Sequence, residues 1–150
     1  FTKAVRLDPG NAEYHDSRGV TLHYMGRHEE ALAEDDEAVR LEPGSARYHH
    51  SRGVTLNYMG RHEEALAEYD EAVRLEPGSA EYHRSRGVSL RELGRLEEAL
   101  SEIDLAIQID PELAISHSSR ALTLRAMGRE EEAQVEEALE ASLSRNDTNA

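Results

Sequence analysis

Residues 46–79 read ARYHHSRGVTLNYMGRHEEALAEYDEAVRLEPGS, and residues 12–45 read AEYHDSRGVTLHYMGRHEEALAEDDEAVRLEPGS. The two stretches differ at only four places: Glu13/Arg47, Asp16/His50, His23/Asn57 and Asp35/Tyr69. Working outward, Asp8-Pro9-Gly10, Glu42-Pro43-Gly44, Glu76-Pro77-Gly78 and Asp110-Pro111-Glu112 recur at a spacing of 34 residues, so the chain is an internal repeat before it is anything else. In residues 46–79, Ser45 is a natural helix N-cap. Apolar residues follow at Tyr48, Val54, Leu56 and Met59, and Gly60 supplies a left-handed stop. A second helix opens with Glu63-Glu64 at the positive end of its dipole. It runs through Ala65, Leu66, Tyr69, Ala72, Val73 and Leu75, carries Arg74 near its negative end, and stops before Pro77. Apolar spacings of three and four are helical, and the short connection makes the two helices antiparallel. The frame predicts helices near 12–25, 28–41, 46–59, 62–75, 80–93, 96–109, 114–127 and 130–144, after a partial helix ending near Leu7.

The 34-residue period, with the series Gly19/Gly53/Gly87, Ala31/Ala65/Ala99, Ala38/Ala72/Ala106 and Pro43/Pro77/Pro111, resembles the tetratricopeptide repeat signature over essentially the whole chain. Glycine and alanine are small where two helices cross closely, and proline ends the second helix. The resemblance implies an all-α, right-handed superhelical solenoid of antiparallel helix pairs. It is expected as a single array, with residues 1–11 the end of a preceding repeat, 12–45, 46–79 and 80–113 full repeats, and 114–147 a divergent polar cap whose apolar stripe shifts to Val135, Ala138, Leu139 and Leu143. Residues 146–150 are expected to fray. The sequence departs from the family where tryptophan is frequent, at His15, His49, His83 and His117, and where leucine is frequent, at Arg18, Arg52, Arg86 and Arg120.

Composition excludes several functions. With 31 acidic against 17 basic side chains, a net charge of −14 and Lys3 as the lone lysine, the chain repels a phosphate backbone, so nucleic acid is not an expected partner. The absence of cysteine removes disulfides, thiol nucleophiles and Cys-based zinc sites, and fits a reducing, cytoplasmic setting. No run is long and apolar enough for a membrane span, and the N-terminus does not resemble a signal peptide. No cofactor is implied, because the glycines occur singly and not in a phosphate-cradling loop. The four histidines sit on equivalent helices about 10 Å apart and cannot converge on one ion at about 2 Å, so no metal site is expected and they are read as packing residues. His28 and His62 fall in turns, where solvation is expected. Ser and His two apart on a helix do not face each other, and no catalytic residue is assigned. Arg18, Arg52 and Arg86 are expected to tie to Asp36, Asp70 and Asp104 of their own hairpins.

The resemblance also implies that first helices line a concave groove, which makes the chain a protein–protein interaction module holding a peptide or protein. The groove would present Glu13, Asp16, Val20, His23 and Tyr24 from the first repeat. The second would add Arg47, His50, Val54, Asn57 and Tyr58, the third Glu81, Arg84, Val88 and Arg91, and the last Leu122 and Arg125. Val20, Val54, Val88 and Leu122 form its apolar floor. Three of the four differences between the near-identical repeats fall on this list. Family members that clamp a chaperone's C-terminal carboxylate use groove Lys and Asn, and the valine floor without a groove lysine points away from that ligand. The alternative reading is a structural array whose open N-terminal edge stacks copies into a homo-oligomer.

Overall fold

A computed structural model describes residues 8–149. Its helices are α1 (Ala12–Tyr24), α2 (His28–Leu41), α3 (Ala46–Tyr58), α4 (His62–Leu75), α5 (Ala80–Glu92), α6 (Leu96–Ile109), α7 (Ala114–Ala126) and α8 (Glu130–Asn149), and no strand occurs among the described residues. The predicted boundaries hold to within one residue except at the last helix. The partial helix expected to end near Leu7 lies outside the described residues.

Local chemistry sets the ends of these helices. Asn11 accepts from the amide of Glu13 at 3.0 Å, and Ser45 and Ser79 accept from Tyr48 and Tyr82 at 3.4 and 3.2 Å. Each satisfies a donor that the first turn leaves orphaned. Every first helix is followed by a glycine with positive φ (Gly26 75°, Gly60 76°, Gly94 77°, Gly128 79°), and an L side chain there would strain the turn. The second helices α2, α4 and α6 have no side-chain cap, and all four second helices begin with acids, Glu29-Glu30, Glu63-Glu64, Glu97-Glu98 and Glu130 to Glu132, which suit the positive end of the dipole.

The hairpins fall into two compact units, one ending at Pro77 and one beginning at Gly78. In the first, α1 pairs with α2, α3 with α4, and α2 packs on α3; in the second, α5 pairs with α6, α7 with α8, and α6 packs on α7. Ala31, Ala65, Ala99 and Ala133 are all 0% exposed, because each lies where its hairpin is tightest. A Cβ on Gly53 would fall 2.6 Å from Tyr69 Cε1, and one on Gly87 2.7 Å from Ile103 Cγ1. In the last hairpin the second-helix residue at that level is Glu137, which turns outward to Arg125, and the first helix then has room for Ala121.

Two expectations for α8 are corrected. The tail is helical through Asn149, since residues 145–149 contain neither Gly nor Pro to stop it and the Thr148 hydroxyl donates back to the Arg145 carbonyl at 2.9 Å. The stripe at Val135 and Leu139 is not the packing face: these residues are exposed, while Ala133 and Glu136 are buried. The period of three to four was right, but its phase is set by Ala133 and by the partners of Glu136.

Replacing Ala65 by Leu should overpack the α3–α4 crossing and cost about 1–3 kcal/mol, whereas Glu63→Gln, exposed on α4, should stay within about 0.5 kcal/mol. Thermal melts of both variants check this, and equal shifts would contradict the assigned faces.

Candidate functional site

In the first unit α1 and α3 bring most of the expected groove residues to one side. Val20, Tyr24 and Tyr58 are exposed, Tyr24 at 85% and Tyr58 at 69%, while His23, Val54 and Asn57 are half-buried beside them. The His23 ring meets Tyr58 edge-on with centroids 4.6 Å apart, and lies 5.7 Å from Tyr24 and 5.0 Å from His28. His28 stacks on Tyr58 at 5.9 Å. His62 bonds through Nδ1 to Asn57 Oδ1 at 2.5 Å. The two histidines expected to be solvated in turns are thus half-buried first residues of α2 and α4, recruited by aromatic and amide neighbours. Glu13 and Arg47 are exposed, and His50 packs on Tyr69 at 5.5 Å.

Asp16 departs from the expectation. It is 1% exposed, held by the Arg47 guanidinium at 2.6 Å, and so does not present itself to a ligand. Asp35 on α2 is also buried, at 2%, in the space left by Gly19, where a Cβ would fall 2.5 Å from its Oδ1. One oxygen of each acid, Asp16 Oδ1 and Asp35 Oδ2, has no hydrogen-bond partner. Burial pushes the Asp35 carboxyl up to about 7, Asp16 and Asp36 add repulsion, and the Thr55 hydroxyl and Arg52 pull the other way.

In the second unit Glu81, Leu122 and Ile115 are exposed, and Arg84 and Val88 are half-buried. Arg91 donates to the Ser119 carbonyl at 3.4 Å and lies 3.6 Å from Glu92. Arg125 is engaged by Glu130 and Glu137 at 2.7 and 2.8 Å. Both arginines therefore brace helices of their own unit.

The residues that sequence reasoning missed are Glu34, Glu68, Glu102 and Glu136, although they recur at the same 34-residue spacing as the histidines. Their carboxylates take the histidine Nδ1 on one oxygen, at 2.7, 2.8, 2.8 and 2.7 Å for His15, His49, His83 and His117. The other oxygen takes an arginine, at 2.8, 3.3, 3.2 and 2.6 Å for Arg18, Arg52, Arg86 and Arg120. Histidine Nε2 reaches back to the carbonyl of Pro9, Pro43 or Pro111 at 2.7, 2.7 and 2.9 Å for His15, His49 and His117. The latch thus joins first helix, second helix and the preceding turn. The expected Arg–Asp tie is corrected accordingly: within the hairpin the arginine's partner is Glu, and the aspartate it meets belongs to the hairpin before, Asp36 for Arg52 at 2.8 Å and Asp104 for Arg120 at 2.7 Å.

At His15 burial opposes the charged ring, but the Glu34 carboxylate, the Pro9 carbonyl and the Glu37 charge outweigh it and raise the pKa. Both nitrogens face acceptors, which only an imidazolium satisfies as donor twice over. Among the described residues no group of three or more His, Cys, Asp or Glu could hold a metal ion, and no helix is long and apolar enough to cross a membrane.

Solved structures share this architecture. MamA (residues 41 to the end) from Desulfovibrio magneticus RS-1 matches with a TM-score of 0.82 at 19% identity, over 95% of this chain and 80% of that one. A thermophilic tetratricopeptide repeat protein of Thermus thermophilus matches at 0.81 with 23% identity, over 89% and 74%. The family model described as Tetratricopeptide repeat matches residues 52–114. The chain belongs to the tetratricopeptide repeat family. Residues 2–77, just over half of this tetratricopeptide repeat protein, also match the model described as Bacterial transcriptional activator domain and belong to that family as well. The two matches share residues 52–77, so the same helices satisfy both. The first repeat domain of Spaghetti bound to the HSP90 peptide SRMEEVD matches at 0.74 with 17% identity, over 78% of this chain and 93% of that one. No curated protein sequence matches.

In this tetratricopeptide repeat protein the latch occupies the layer where the family often has tryptophan and leucine. Polar geometry there replaces apolar volume, and losing one partner exposes the other two to a buried, unpaired state. Glu68→Gln should therefore cost about 1–3 kcal/mol, and Glu68→Lys more, although its place on the back of the repeat makes it look like a neutral surface change. Urea denaturation of both variants beside Glu63→Gln measures the difference. A second expectation concerns pH. Asp35, raised from 3.8 to about 7, is protonated in the fold but ionised in the unfolded chain between those values. Its contribution falls as pH climbs from about 4 to about 7. His15, raised above 6.5, contributes fully below that value and loses its contribution as pH rises through the folded pKa. The signs agree, so the melting temperature should fall from pH 5.5 to pH 8. Asp35→Asn should recover about 1–3 kcal/mol at pH 8 and flatten the profile in melts recorded across that range.

Proposed function

We propose that this chain is a protein-interaction module that holds a peptide or protein segment against the first-helix face of its N-terminal unit, and that it catalyses no reaction. The observation that carries the reading is the cluster of Tyr24, Tyr58 and Val20, large side chains left in solvent beside half-buried Val54 and His23. A large aromatic exposed on one side and braced on the other is what a binding hot spot is made of: rigid, amphipathic, and cheap to order. The bracing comes from His23 and His28, which hold the Tyr58 ring between α1 and α2. Arg47 is already paired with Asp16, so an apolar segment with one or two aromatic or branched anchors suits this face. The Spaghetti domain holds a peptide in its own structure, which supports a peptide ligand for this fold. This chain has valine on the floor and no lysine on the face, so the ligand differs from an acidic chain terminus. The match to the bacterial transcriptional activator domain supports a place inside a larger regulator, with this face as the part that engages a partner.

Selection from a displayed random peptide library, followed by affinity measurement on the selected peptides, tests the reading. Ligands rich in apolar and aromatic anchors are expected, and Tyr58→Ala should weaken them by about 1–2 kcal/mol while Glu63→Gln leaves them unchanged. Ligands indifferent to both Tyr58→Ala and Val20→Asp, with the variants folded, would remove the assignment.

A further inference from the structure

On the side of each second helix turned away from its first helix, the two units carry different chemistry at matching positions. In the first unit the stripe runs Ala33, Glu37, Arg40 on α2 and Ala67, Glu71, Arg74 on α4, and each Glu–Arg pair is bonded on the surface. In the second unit the same places hold Ser101, Leu105, Gln108 on α6 and Val135, Leu139, Ser142 on α8. The ion pairs are gone, and Leu105, Ile109, Val135 and Leu139 stand 36, 39, 59 and 45% exposed. The helices that carry the two halves of this patch, α6 and α8, both pack on α7. A single guanidinium, Arg120, bonds Asp104 of α6 at 2.7 Å and Glu136 of α8 at 2.6 Å, and these acids neighbour Leu105 and Val135 in sequence. The N-terminal ends of the same helices carry Glu97 and Glu131, exposed acids that form no ion pair among the described residues.

We propose that this back face of the C-terminal unit is a second docking surface, and that its occupant is a basic amphipathic helix of a partner protein. The apolar row takes the helix's leucine-type side chains at three- and four-residue spacing, and Glu97 and Glu131 take its Lys or Arg. Charge selects this occupant over a second copy of the chain, whose net charge of −14 would meet an acidic rim with more acid. The surface lies on other helices than the Tyr24–Tyr58 cluster, and the two assignments stand or fall separately.

The probe is a fluorescent eighteen-residue peptide of Leu and Lys patterned as an amphipathic helix, with two controls: the same composition scrambled to break the apolar row, and a Leu and Glu version. Anisotropy titrations should show the Leu/Lys helix binding at least about tenfold more tightly than either control, and more weakly as salt is raised. The double variant Val135→Ser/Leu139→Ser should lower its affinity about tenfold, as loss of two anchors does. Glu97→Gln/Glu131→Gln should lower it more than Glu29→Gln/Glu63→Gln, the same charge change at the matching positions of the first unit. Tyr58→Ala should leave it unaltered. The proposal is overturned by no binding to the wild-type chain, by a scrambled peptide that binds equally well, by an unchanged affinity in the Val135/Leu139 variant, or by equal effects of the two Glu→Gln pairs. Loss of binding in Tyr58→Ala together with indifference to Val135/Leu139 would assign the peptide to the other face.

Discussion

One carboxylate per hairpin, Glu34, Glu68, Glu102 or Glu136, accepts from a histidine and an arginine on the facing helix. The histidine also ties to the turn before it where its partner is Pro9, Pro43 or Pro111. Three segments that would otherwise meet through apolar contact alone are thereby fixed in angle and in register. The geometry is shared between charges, so neither helix can slide without unpairing a buried group, and unpairing costs more than the bonds contribute when intact. The small residues follow from this constraint. With the helices held so close, only glycine fits opposite Tyr69 or Ile103, and only alanine fits at positions 31, 65, 99 and 133. Arg52 and Arg120 then extend the same carboxylate chemistry to the aspartate of the preceding hairpin, so intra-hairpin order and inter-hairpin order share one side chain.

The fold was almost wholly legible in the sequence because its punctuation is local. Proline, the capping Asn or Ser, and the left-handed Gly26, Gly60, Gly94 and Gly128 each act within a few residues of where they stand, and the period repeats the message. What was not legible acts across the hairpin. Glu34 is nineteen residues from His15 and looks like any solvated helix acid. The Arg–Asp tie was assigned to the wrong pair of helices because sequence spacing alone does not say whether Asp36 faces its own hairpin's arginine or the next one's, and in the fold it meets Arg52. Apolar phase failed at α8 for a related reason: Val135 and Leu139 keep a helical spacing, but a polar latch, not the apolar row, decides which side of that helix is inside. Of the candidate site, the exposed tyrosines and Val20 could be placed from the repeat frame. The burial of Asp16 could not, since it depends on Arg47 one repeat later.

That dependence bears on the four differences between the near-identical repeats, of which three had looked ligand-facing. In the structure they engage one another or close neighbours: Asp16 with Arg47, Asp16 with Asp35 through their charges, His50 with Tyr69, and His23 and Asn57 with the rings that follow them. A surface changed for a ligand and a surface changed for a neighbouring repeat look alike in one dimension, and burial separates them. Only His23 of these positions still belongs to the exposed aromatic cluster.

The Asp16–Arg47 contact has a consequence for assembly of the chain itself. Two hairpins of nearly the same sequence, joined by a short turn, are interchangeable as far as their apolar faces can tell, and the same is true between molecules when many are folding together. A first hairpin stacked on another first hairpin would set Glu13 against Asp16, two acids. A second on a second would set Arg47 against His50 and forfeit the ion pair. Only a first hairpin followed by a second brings Asp16 to Arg47, so this buried carboxylate acts as an address label, steering each copy of a duplicated element away from its twin on another chain.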